Sequence, residues 1–175
     1  MEVPVKKVSV FLCLSGLFLV TALFAQPAKN VSASKHPNLA RAQTLVDWAY
    51  KKIEDAQKAN EFDMDGHASK AKSLLDQANS ELKAAAVEAN ENKMEKKEWP
   101  KEEEMGGKPA KNVSESKHPN LAKAQTLLDH AYARIGDAQA ANEFDMEGHA
   151  AKAKSLLEQA SAELKLAAKE ANEHK

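Results

Sequence analysis

The sequence predicts an all-α protein, a tandem duplication of an antiparallel α-hairpin that forms a four-helix bundle. Three observations predict it. Charged residues make up 29% of the 175-residue chain and aromatics only 5%, with alanine very frequent, a composition suited to amphipathic helices rather than to a β-sandwich. Apolar residues recur at spacings of three and four over long stretches. Residues 27–93 also align without a gap with residues 109–175, and about three quarters of the aligned positions are identical.

At the N-terminus, Lys6 and Lys7 precede an uncharged apolar run over residues 8–24, and Ala22 or Ala25 supplies the small residue expected before a cleavage point. Residues 1–25 are therefore read as a secretory signal, which places the mature chain in the periplasm or outside the cell. An uncleaved anchor with the remainder exported is the alternative. The one cysteine, Cys13, lies inside this run and is preceded by Val10, Phe11 and Leu12 rather than by the small residues that lipidation requires. Removal of the signal leaves a chain without thiols, whose stability owes nothing to disulfides.

The first repeat, residues 26–93, opens with a polar stretch over 26–35 that is expected to be loosely ordered. Its first helix carries Leu39, Ala42, Val46, Ala49, Ile53 and Ala56 on one stripe, and Pro37 suits the first helical position. Its second helix carries Ala68, Ala71, Leu75, Ala78, Leu82, Ala85 and Ala89. Alternating alanine with a large aliphatic residue leaves room for a facing backbone, so the two helices of each hairpin are expected to pack tightly against each other. Leu45, Tyr50 and Leu74 lie beside the stripe, as do Leu127, Tyr132, Leu156 and Leu166 in the second repeat, and predict a second apolar surface that needs a partner.

Residues 94–108 combine Glu95, Lys96, Lys97 and Glu98 with Pro100 and paired Gly106 and Gly107, and read as an exposed charged linker. The second repeat, residues 109–175, repeats the pattern with Leu121, Ala124, Leu128, Ala131, Ile135 and Ala138, then Ala150, Ala153, Leu157, Ala160, Leu164, Ala167 and Ala171. Its leading stretch, 109–117, is again expected to be loose, and Pro119 again suits a helix start.

A net charge of −1 provides no field to gather nucleic acid. Enzyme chemistry lacks its parts: no thiol survives maturation, no glycine-rich nucleophile or phosphate turn is present, and Glu115 to His118, the one Glu-x-x-His spacing, is Ala33 to His36 in the other copy. The candidate site is the turn between helices. Asp63, Asp65 and His67, with Asp145, Glu147 and His149 in the second copy, gather carboxylates and imidazole that can hold a divalent transition metal. An EF-hand is excluded, because the twelfth position counted from Glu61 is Lys72. The purely structural reading makes Asp63 and Asp145 helix caps and sets Asp65 and Glu147 against the helix dipole. His36 lies at the opposite end of the hairpin from His67. His130 and His174 replace Trp48 and Asn92, so neither belongs to a duplicated site. Asn30-Val31-Ser32 and Asn112-Val113-Ser114 match a glycosylation pattern but carry no functional weight, and Lys70, Lys72 and Lys83 with Glu81 and Glu88 read as a solvated face.

Gly66-His67-Ala68-Ser69-Lys70-Ala71, followed by Leu75, Ala78 and Leu82, and its twin Gly148-His149-Ala150-Ala151-Lys152-Ala153, followed by Leu157, Ala160 and Leu164, resemble the small metal-binding protein family of bacterial periplasms. The resemblance covers the hairpins and implies an exported alanine-rich helical bundle that binds metal through histidines. Only His67 and His149 carry over, because the many helical histidines associated with that family are missing here. The expected function is thus an exported, non-enzymatic binding or scaffold protein that meets another protein or a second copy of itself through helix faces. No nucleic-acid partner is expected, and no membrane contact unless the N-terminal segment is retained. The alternative is a periplasmic divalent-metal binder that uses the acidic Gly-His turns.

Overall fold

A computed structural model describes residues 29–59, 64–91, 108–142 and 146–173. The signal segment, linker residues 94–107, Asp63, Asp145 and His174 lie outside the described residues, as does the side chain of Glu147. Among the described residues there are four α-helices and no strand. They are α1 Pro37–Ala59, α2 His67–Glu91, α3 Pro119–Asn142 and α4 His149–Glu173. None is long and apolar enough to cross a membrane. Pro37 and Pro119 begin α1 and α3, where a missing N–H leaves no hydrogen bond unmade.

Each hairpin turns through a short 3-10 segment, Met64–Gly66 or Met146–Gly148. Met64 and Asp65 have φ of 49° and 50°, and Gly66 follows at 77°. Left-handed backbone costs a residue with a Cβ roughly 1–2 kcal/mol, and the glycine adopts it freely. Met64 and Met146 repay the strain by burying their side chains, at 1% and 2% exposure. Because α2 starts at His67, Gly66 occupies the position before the helix that the sequence pattern gave to Asp63, and Asp65 lies ahead of the first helical turn rather than within it.

Repeat packs on repeat. One small end cavity is lined by Ala56 of α1 and Leu121 of α3, and its counterpart by Leu39 of α1 and Ala138 of α3, so these two helices run antiparallel. Carrying that register between the two ends sets Ala42 opposite Ile135, Val46 opposite Ala131, Ala49 opposite Leu128 and Ile53 opposite Ala124. Every large residue meets an alanine, and all eight are buried. Helices α2 and α4 are likewise antiparallel, since His67 reaches Glu163 and Glu81 reaches His149.

The closest helix pairs are therefore α1 with α3 and α2 with α4, while α1 with α2 and α3 with α4 are more open. This corrects the expectation of tight packing within each hairpin. The alanine columns do bring backbones together, but between repeats. The arrangement also makes α2 and α3 parallel.

Over the described residues, from Lys29 and from Pro109, the polar stretches before α1 and α3 are ordered arms, not loose segments. The backbone N–H groups of Asn30 and Val31 donate to Gln43 Oε1 at 3.0 and 2.9 Å, and Gln43 Nε2 donates to Asn30 Oδ1 at 3.1 Å. Gln43 Nε2 also lies 3.4 Å from the carbonyl of Asn79 on α2, and Lys83 on α2 donates to the carbonyl of Asn30. In the second repeat Gln125 holds Asn112 and Val113 in the same way, and Ser161 Oγ on α4 donates to the carbonyl of Ala110 at 2.7 Å. Each arm is thus tied to both helices of its own hairpin, with Val31 and Val113 half-buried against the core. The Asn and Val of each Asn-Val-Ser triplet are held by this clamp.

The second apolar surface expected beside the stripe is already covered. Leu45, Tyr50, Leu74, Leu127 and Leu156 are buried and Tyr132 is half-buried, whereas Leu166 remains 41% exposed.

Candidate functional site

His67 is the first residue of α2 and therefore projects from the rim of the bundle toward α4. Its Nδ1 lies 2.7 Å from Glu163 Oε2, and Lys70 Nζ, one turn further along α2, lies 2.6 Å from Glu163 Oε1. The second repeat returns the same arrangement: His149 Nδ1 is 2.6 Å from Glu81 Oε2, and Lys152 Nζ is 2.6 Å from Glu81 Oε1. A carboxylate only accepts, so Nδ1 carries the proton in both imidazoles. Glu163 and Glu81 are largely buried, and burial works to raise their pKa. The hydrogen bonds from Lys70 and His67, and from Lys152 and His149, outweigh it and hold both carboxyls below the usual range.

The structure therefore pairs His67 and His149 with glutamates of the opposite repeat. Asp65 is exposed in the turn before His67. Asp63 and Asp145 lie outside the described residues, and the side chain of Glu147 is likewise not described. Among the described residues there is no group of three or more His, Cys, Asp or Glu side chains able to hold a metal ion.

Glu81, Glu163, Lys70 and Lys152 were not singled out as site residues from the sequence. Their signal is the recurrence of His-x-x-Lys and of a helical Glu in both copies, and it becomes readable only once the repeats are known to pack antiparallel. Of the face expected to be solvated, Lys70 and Lys83 are exposed, Lys70 in the ion pair and Lys83 holding the arm, whereas Glu81 is withdrawn into its ion pair and Lys72 is buried with Nζ 5.1 Å from the centre of the Tyr50 ring.

Two further polar clusters support the frame. Asp47, 2% exposed, meets Lys29 of the arm at 3.3 Å and Lys51 of its own helix at 3.1 Å. Asp129 has Ala133 in place of Lys51, and its second cation comes instead from the arm, with Lys108 at 3.1 Å and Lys111 at 3.0 Å. At the two ends of the α1 and α3 pair, His36 and His118 line cavities of about 60 and 100 Å³, with buried Nε2 atoms that have no hydrogen-bond partner.

Compared with known proteins, the chain matches no family model, no curated protein and no solved structure.

Proposed function

We propose that this is an exported, non-enzymatic helical-bundle scaffold or binding protein. The observation that carries the reading is the reciprocal commitment of His67 to Glu163 and of His149 to Glu81. These imidazoles and carboxylates, the groups best suited to chemistry, fasten one repeat to the other. Export rests on the charged and apolar pattern of residues 1–25.

One observation favours the second reading, a periplasmic divalent-metal binder. A carboxylate holding Nδ1 leaves Nε2 as the ligating atom, which is how metal-binding imidazoles are commonly oriented. Calorimetric titration of the mature protein with copper, nickel, zinc and manganese, beside a His67→Ala/His149→Ala variant, separates the two. The scaffold reading expects no binding heat and a variant less stable by about 1 kcal/mol per site, because a hydrogen bond to a charged group is lost while each lysine remains. Binding at about micromolar strength or tighter that disappears in the variant overturns it in favour of the metal.

A further inference from the structure

The face by which one repeat holds the other is self-complementary. Its ion pairs come as a reciprocal set, His67 and Lys70 to Glu163, and His149 and Lys152 to Glu81. Its apolar register is reciprocal too, with Leu39 against Ala138 matched by Ala56 against Leu121. The ion-pairing residues and the α1 and α3 stripe are the same in both repeats apart from Val46, which is Leu128 in the second. A surface of this kind is isologous, the kind by which identical subunits form closed pairs. Moreover, the closest helix pairs lie between repeats, so a hairpin parted from its mate exposes a long buried stripe that another hairpin of this sequence fits.

We propose that the partner of this chain is a second copy of itself. The first repeat of each copy docks on the second repeat of the other through the α1 with α3 and α2 with α4 faces, giving a dimer of two four-helix bundles. This deepens the scaffold reading and shares with it only the premise that the helix faces are the working surface. The contacts in the exchanged dimer are those of the single chain, so the effective concentration of one repeat at the other within a chain sets the balance between the two forms.

Charge reversal in two full-length chains tests this directly. One chain carries Glu81→Lys and Glu163→Lys; the other carries His67→Glu, Lys70→Glu, His149→Glu and Lys152→Glu. Each chain folded alone opposes like charges at both ion-pair sites. In an exchanged dimer of one with the other, every such site holds opposite charges. Refolding the two together is expected to yield a species of twice the chain mass containing one copy of each, seen by light scattering and native mass spectrometry, with a higher Tm than either alone. If one or both variants fail to fold alone, recovery of helicity on mixing is the same result read by circular dichroism. A mixture that behaves as the sum of its parts, in mass and in melting, overturns the proposal. That outcome is independent of the metal titration, so the two readings can fail separately.

Discussion

At the scale of single residues, the positions where the repeats differ show how one frame tolerates two solutions. Tyr132 is hydrogen-bonded to Glu158, whereas Tyr50, fully buried, has Asp76 at the corresponding place and a hydroxyl with no partner. The aspartate is one methylene shorter. Burial, then the charges of Asp76 and Glu54, push the Tyr50 hydroxyl up to about 12, so it remains a protonated donor without an acceptor. Asp76→Glu is therefore expected to stabilise the protein by about 1 kcal/mol, and Glu158→Asp to destabilise it by a similar amount. Urea unfolding of the two variants checks this, and effects of the same sign would show that chain length at this position is not the reason for the orphaned hydroxyl.

The ion pairs carry a pH dependence whose sign follows from the lowered pKa of Glu81 and Glu163. A carboxyl with a lowered folded pKa contributes its full stability above the ordinary carboxylate value and loses it as pH falls through the lowered one. Asp129 acts in the same sense, while Asp76 and Glu158, whose pKa values burial raises, act in the opposite one. Glu81→Gln/Glu163→Gln is expected to lower Tm at neutral pH. Between neutrality and about pH 3, below the usual carboxylate range, it should also flatten the acid-side decline. A wild-type decline that persists unchanged in the variant would assign it to other carboxyls.

At the scale of elements, the arms are the least expected feature. A glutamine that accepts two backbone N–H groups while donating to a side chain and a helix carbonyl turns a polar stretch into part of the fold. Gln43→Ala leaves the N–H groups of Asn30 and Val31 without this acceptor, a loss of about 1–3 kcal/mol where they stay shielded and less where water replaces it. Hydrogen exchange at these two amides is expected to rise toward that of an unstructured peptide, while exchange in the middle of α1 changes little. Protection that survives the substitution would mean that the Lys29 to Asp47 ion pair holds the arm.

For the whole molecule, the alternation of large and small residues decides which helices approach closely. Ala49→Leu places a second large side chain opposite Leu128 and is expected to cost about 1–3 kcal/mol by overpacking, while adding Leu128→Ala restores the volume and recovers most of it. Thermal melts of the single and double variants read this coupling. If the two substitutions simply added, Ala49 and Leu128 would not face each other.

The sequence by itself determined the secondary structure and the internal symmetry. Spacings of three and four, Pro37 and Pro119 at helix starts and the long self-alignment are local or repetitive signals, and the four helices appear where they indicate. Tertiary structure decided which faces meet. An alanine column fits a neighbouring hairpin helix as well as the equivalent helix of the other repeat, and only packing the whole bundle selects the second. The same selection brings His67 to Glu163 across 96 residues of chain, a pairing no local pattern encodes. Within each hairpin, the approach of arm to helix turns Gln43 and Gln125 into buried clamps, which no spacing in the sequence marks.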